Sequence, residues 1–420
     1  MNGGSLAASS KSAFYAFPAL KAQFLTRDIK QSQIVLALWT RFKEESVCAD
    51  NTLPAELKPK VEIYQEVKEI HKEDLLFVLK LKQNFQYGKA VMNFYKVGVV
   101  NVWNNRKVSN RLKKKQYKLG GIVDRKGRES EIRIPNVTKL TADMAQALYI
   151  SQMETKTEND KNAGNVIKGD FASKVIDTDL FSMTRKEFQT IRRTTEDAPK
   201  IPLFAVILLI FMESTPLVCY AFPQITPLTC VLPSILPRLW SSSSNDKLHE
   251  INSKLFKTTG LPDLALRNAY NLPIEEGRLM ARTLRLTSKF VPLSLYPESL
   301  VRRRLQEHYN YLKVDNYYLS GLNGAKSGNL WNLSNQELIL ACLERNLIRD
   351  IKGDVKTFHD IKDPQVRKES EMRFFRKLRL RLFQFIVDFD NYNIGYLGLT
   401  HLLEDTRAPQ KILEWHDLDN

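Results

Sequence analysis

Ile201-Pro-Leu-Phe-Ala-Val-Ile-Leu-Leu-Ile-Phe-Met212 is continuously apolar. It opens a run, Ile201 to Pro237, whose one charged side chain is Glu213. A helix needs about 20 apolar residues to cross a bilayer, so two spans and their turn would need more than about 40. The run therefore predicts one transmembrane span at residues 201–222, followed by a Pro-rich interfacial segment at 223–240. There Pro223, Pro227, Pro233 and Pro237 recur too often for a second regular helix. The competing reading is a helix buried in a domain, because the unbroken apolar run is short and Pro216 would kink its end. A carboxylate is costly in hydrocarbon, so on the first reading Glu213 is a candidate functional site, unless it sits at the headgroups beside Ser214 and Thr215.

On the N-terminal side, Arg185, Lys186, Arg192, Arg193 and Lys200 predict a basic helix at 179–200 leading to the membrane, with Ser182 or Thr184 as its cap. Further out, residues 60–119 read as a basic amphipathic helical region. Leu75 to Val123 holds eleven Lys or Arg and no acid. Arg111, Lys113, Lys114, Lys115 and Lys118 close that stretch as candidates for binding anionic inner-membrane lipid or RNA phosphate, with a solvated basic face as the alternative. Residues 120–170 read as an insertion and linker. Gly120-Gly121 and Pro135 bracket a β-prone patch at Ile132 to Val137, and Ser151 to Asp170 is poor in apolar side chains. Residues 1–40 form an N-terminal segment of presequence type: Met1 to Arg27 has no acid, and Lys11, Lys21 and Arg27 alternate with Ser, Ala, Phe and Leu.

The 420 residues carry 63 Lys+Arg against 47 Asp+Glu, a formal charge of +16, with 43% apolar side chains. That is enough for two or three packed units and excludes wholesale disorder. Cys48, Cys219, Cys230 and Cys342 are too few and too scattered for a disulfide framework or paired metal knuckles and read as buried thiols. The six histidines are solitary. There is no phosphate-binding glycine loop, no H-E-x-x-H and no G-x-S-x-G, so nothing assembles a nucleophile, a base and an oxyanion donor. The sequence therefore points to no enzyme, no cofactor, no metal and no small-molecule substrate.

Residues 245–410 break into helices. Pro297 opens one that runs through Arg302, Arg303 and Arg304 to Leu319. Ser334, followed three residues later by Glu337, is a capping box for the next. On the last, Val366 to Phe389, Phe374, Phe375, Leu378, Leu382, Phe385, Ile386 and Phe389 share one side, and Arg373, Arg376, Lys377, Arg379 and Arg381 share the other.

In order, these segments resemble the LETM1-like family of mitochondrial inner-membrane proteins. Met183-Thr-Arg-Lys-Glu-Phe188, Ile201-Pro-Leu-Phe, Phe211-Met-Glu-Ser-Thr-Pro216 and Ala221-Phe-Pro223 look like its basic helix and Pro-containing span. Arg278 to Arg282, Ser299 to Arg302, Leu312 to Asn316 and Leu333 to Leu338 resemble its helical domain. The resemblance implies an all-α helical membrane protein with one transmembrane span and a C-terminal LETM1-like, matrix-facing helical ribosome-binding domain. No calcium loop survives after Asp388 and Asp390. The function expected is a membrane tether that associates with the mitochondrial ribosome, through rRNA and ribosomal proteins, and supports expression or membrane insertion of mitochondrially encoded proteins. Arg302, Arg303, Arg304, Arg373, Arg376, Lys377 and Arg381 are its candidate ribosome contacts, solvated helix faces being the alternative. The rival expectation is a cation/proton exchanger, or a subunit of one, built on Glu213; one span encloses no pathway, so that reading requires a homo-oligomer.

Overall fold

The computed structural model describes residues 37–38, 47–58, 60–72, 75–123, 129–132, 134, 136–162, 180–211, 214–232, 235–240, 243–259, 261–323, 328–348, 350–351, 353–354, 357, 361 and 363–400. Helices dominate. In chain order they begin with α1 (Lys60–Ile70) and α2 (Leu76–Leu112), followed by a hairpin of β1 (Tyr117–Val123) and β2 (Glu129–Ile132). Then come α3 (Val137–Asn162), α4 (Arg185–Asp197), α5 (Ile201–Phe211), α6 (Thr215–Ala221), α7 (Leu236–Trp240) and α8 (Ser243–Thr259). The remainder are α9 (Leu261–Ala265), α10 (Ile274–Thr283), α11 (Glu298–Ser320), α12 (Asn335–Glu344) and α13 (Pro364–Phe389). Two compact units result. One comprises residues 49–114 and 187–239, the other residues 1–48, 115–186 and 240–420.

The first unit is organised on α2. A 37-residue helix is about 55 Å long, and its buried stripe of Val91, Phe94, Tyr95, Gly98, Val102 and Leu112 is the floor on which the rest is laid. Asn105 Nδ2 donates to the Asn51 carbonyl at 2.7 Å, and Arg193 donates to Thr52 Oγ1 at 3.1 Å, which ties the start of the unit to its middle. Asp197, at the end of α4, accepts from Lys200 Nζ at 2.7 Å and from the Leu228 amide at 2.7 Å. That carboxylate folds the turn Leu228–Cys230 back over α2, where Thr229 Oγ1 donates to the Gly98 carbonyl at 3.0 Å. Gly98 is needed for the close approach: a Cβ there would lie 2.6 Å from Cys230 Sγ and 2.9 Å from the Thr229 carbonyl oxygen. Gly98→Ala is therefore expected to cost about 1–3 kcal/mol of stability through overpacking, read as a lower thermal midpoint with unchanged helix content.

The other unit is centred on α11. Pro297 precedes its first turn, where a missing N–H costs nothing, and Gly321 ends it with φ 82°, a left-handed cap that an L side chain would strain. Helices α3, α10, α12 and α13 pack around it. Ser334 caps α12 by accepting from the Glu337 amide, and the side of α13 that carries Leu378, Leu382, Phe385, Ile386 and Phe389 is buried.

A four-member charge network lies at the heart of this unit. Arg185, Asp315, Glu337 and Arg345 are all 0% exposed. Asp315 accepts from Arg185 Nε at 2.7 Å on one oxygen and from Arg345 at 2.7 Å on the other. Arg185 also donates to the Val47 carbonyl at 2.8 Å and lies 3.4 Å from Glu337 Oε2. Arg345 spends its remaining donors on Asn316 Oδ1 and the Ala341 carbonyl. Two guanidiniums and two carboxylates balance, and the multiple hydrogen bonds offset the desolvation of each ion. Burial acts to raise the Asp315 pKa; the two guanidiniums overcome it and hold the carboxyl well below the usual carboxylate range.

The structure departs from several expectations of the sequence. No described helix is long and apolar enough to cross a membrane, so the one-span architecture at 201–222 does not stand. The apolar run breaks: α5 has 11 residues and α6 has 7, and the longer rises only about 17 Å against a hydrocarbon core of about 30 Å. Pro216, in the first turn of α6, suits a helix start rather than the middle of a longer helix. The segment 223–240 is largely internal rather than interfacial, since Cys230, Val231, Leu232, Ile235 and Leu239 are buried. Arg185 and Arg193, assigned to a membrane flank, are buried too, and the basic helix starts at Arg185 rather than 179. The fold is not purely α, because β1 pairs antiparallel with β2, Tyr117 opposite Ile132. The supposed linker continues as helix to Asn162, and Leu140, Met144 and Ala147 of that helix are buried.

Candidate membrane-facing surface

Helices α5 and α6 form a helical hairpin in the first unit, and its chemistry is divided by face. Phe204 and Ile207 of α5 and Cys219 of α6 are buried. The Phe204 ring lies 5.8 Å from that of Tyr95 on α2. The other side is apolar and open: Leu209 is 77% exposed, Ile210 68% and Leu217 71%, and Leu203, Val206 and Phe211 are at or near half exposure. Tyr220 and Phe222 add aromatic edges to the same short segment. Scattered exposed apolar side chains need no explanation; this many on two consecutive short helices form a patch of the kind that marks a membrane or partner contact.

The floor of the hairpin is chemically inert. Burial pushes the Cys230 thiol up to about 12 and raises that of Cys219 as well, so neither supplies a thiolate at neutral pH. Burial likewise pushes the Cys342 thiol of the other unit up to about 12, and Cys48 is buried. None of the four is expected to react with an aromatic disulfide reagent at mildly alkaline pH until denaturant is added. A stoichiometric native-state reaction would contradict this packing.

The cations singled out from the sequence meet different fates. Arg302 donates to the carbonyls of Ala269, Tyr270 and Leu272 and pairs with Glu298. Arg304 donates to the Leu286 carbonyl at 2.6 Å, and Arg381 to the Leu347 carbonyl at 3.2 Å. These three brace loops. Arg303 is exposed and pairs with Glu307 at 2.8 Å. Arg373, Arg376 and Lys377 stand exposed at i, i+3 and i+4 on α13, one face of a helix whose opposite side is in the core. Arg111 and Lys114 are exposed at the end of α2, where Lys113 donates to Thr195 Oγ1 at 3.2 Å; Lys115 and Lys118 are exposed in the other unit. Glu213 lies outside the described residues, as does the N-terminal segment apart from residues 37 and 38. Asp388 accepts from the Tyr396 hydroxyl at 2.6 Å inside the core.

Two features escaped the sequence reading. The Arg185–Asp315–Arg345 network joins residues 130 and 30 positions apart, and no local pattern announces such a pairing. The exposed apolar side chains Phe77, Leu81 and Phe85 at the start of α2 could have been found from the helical phase, which sets them opposite Leu79 and Gln83.

A sequence profile of the pentamidine resistance factor (PNT1) domain matches residues 47–321, more than half of the chain. The chain belongs to the pentamidine resistance factor family. This is a mitochondrial family distinct from the LETM1-like one, so the resemblance drawn from motif order is overturned. Short motifs such as Ile201-Pro-Leu-Phe reflect the demands of an apolar helical stretch and are not diagnostic of descent. The pentamidine resistance factor domain takes in α1 to α11, including the whole α5–α6 hairpin, while α12 and α13 lie beyond the matched residues. No match was found among curated proteins or solved structures.

Proposed function

We propose that this mitochondrial protein docks on the inner membrane without crossing it, through the open face of the α5–α6 hairpin, and supports the membrane insertion of mitochondrially encoded proteins from the matrix side. The observation that carries the reading is the exposed apolar face of Leu209, Ile210 and Leu217 on helices too short to span. Inserting such a face into the acyl boundary recovers the transfer free energy that water denies it, about 25 cal/mol per Å² of apolar surface. The second arm of the proposal is contact with the mitochondrial ribosome through Arg373, Arg376 and Lys377, whose charges would displace counterions from rRNA phosphate.

Flotation of the full chain with phospholipid vesicles tests docking. The protein should rise with the vesicles, and recovery of all of it at the bottom of the gradient would end the reading. The ribosome arm has a separate test, co-sedimentation with purified mitochondrial ribosomes. Reversing Arg373, Arg376 and Lys377 to Glu should reduce co-sedimentation about tenfold or more at moderate salt while leaving the thermal midpoint unchanged. Unaltered co-sedimentation would remove that face from the proposal.

A further inference from the structure

Helix α2 presents to solvent a second surface, on the side away from its buried stripe. Leu81 and Phe85 lead into Lys89, Lys96, Lys107 and Arg111, all exposed. The intervals between them are 4, 4, 7, 11 and 4 residues, so the side chains stay within about a third of the helix circumference. Trp103 lies in the gap, 53% exposed, with Lys107 Nζ 5.9 Å from its ring centroid. No Asp or Glu occurs anywhere from Leu75 to Val123, so these cations have no carboxylate partner three or four residues away along the helix. From Lys89 to Arg111 the row is about 33 Å long.

We infer that this row on α2 binds the phosphate headgroups of anionic phospholipid, a second membrane contact on the side of α2 away from the stripe on which the α5–α6 hairpin packs. The inference rests on the docking reading above. Its basis is the mixture of side chains. Cations neutralise a dense negative surface, each favourably near anionic lipid. Trp103 suits the interfacial level, and Leu81 and Phe85, 62% and 67% exposed, gain only where acyl chain is within reach. A polynucleotide would satisfy the cations but leave Leu81 and Phe85 in water. A bilayer surface satisfies all of them together.

The test compares flotation of the full chain with neutral phosphatidylcholine vesicles and with vesicles containing cardiolipin, for the wild type and for Lys96→Glu/Lys107→Glu/Arg111→Glu. The wild type should bind cardiolipin vesicles about tenfold or more tightly than neutral ones at low salt, and the preference should shrink as salt rises. The triple variant, with the circular dichroism and thermal midpoint of the wild type, should keep its neutral-vesicle binding and lose the preference. Equal wild-type binding to both vesicles overturns the inference and leaves hairpin docking standing. Lack of binding to either vesicle sinks both. A variant that keeps the lipid preference but loses affinity for single-stranded RNA reassigns the row to a polynucleotide and also overturns the inference.

Discussion

Asp315→Ala is expected to destabilise the protein by about 3–5 kcal/mol, most of the stability of an ordinary domain. The carboxylate is the shared acceptor of Arg185 and Arg345, at 2.7 Å from each, and all three side chains are 0% exposed. Removing it leaves two guanidiniums facing each other in a low-dielectric interior with only backbone carbonyls, Asn316 and Glu337 to satisfy them. Asp315→Asn keeps the shape and one acceptor oxygen and should lose less. Equilibrium denaturation checks the ordering wild type, Asn, Ala; an alanine variant within about 0.5 kcal/mol of wild type would show that the network is not structural. The same network sets an acid limit. Because the folded carboxyl titrates below its unfolded value, its contribution is full above about pH 4 and is lost as pH falls from there towards the folded pKa. Acid unfolding should therefore begin below about pH 4 for the wild type, and this component should vanish in Asp315→Asn.

Leu209→Glu combined with Ile210→Glu should abolish binding to neutral phosphatidylcholine vesicles. Both side chains are mainly in water in the structure, so the folded state loses little when they change. Each contributes about 1.5–3 kcal/mol when buried in an apolar medium, and a carboxylate in its place is strongly unfavourable there. A loss of a hundredfold or more in neutral-vesicle affinity follows, with the thermal midpoint moved by no more than a few degrees. The informative contrast is Phe204→Glu, which strikes the buried side of the same helix against Tyr95 and should unfold the unit rather than merely release it from lipid. Neutral-vesicle binding retained by the Leu209/Ile210 double variant would place the membrane contact elsewhere.

Local signals in the sequence were reliable where the physics is local. Pro297, the Ser334–Glu337 pair and the phase of Phe374 to Phe389 each mark a helix that is present, because capping, a missing donor and a 3.6-residue stripe act within one or two turns. The acid-free stretch from Leu75 was equally legible as a basic helix. What failed was inference from apolar content to destination. Residues 201–237 are as greasy as a span, and the same transfer free energy that would draw them into lipid is met in part by packing against Tyr95 and Gly98 of α2. Motif order misled in the same way, pointing to the wrong family because apolar helical stretches converge on similar residues.

By itself, then, the amino-acid order determined a basic, largely helical chain without the motifs of common catalytic sites, and where many of its helices begin and end. Only the tertiary structure decided that the apolar run folds back at Phe211, leaving Leu209 and Ile210 outside, and that Arg185, Asp315 and Arg345 meet. The reason is range. Caps and helical stripes act over a few residues and are written in adjacent positions, whereas the side on which a short apolar helix is covered, and the partner of a buried charge, depend on surfaces supplied by segments a hundred residues away.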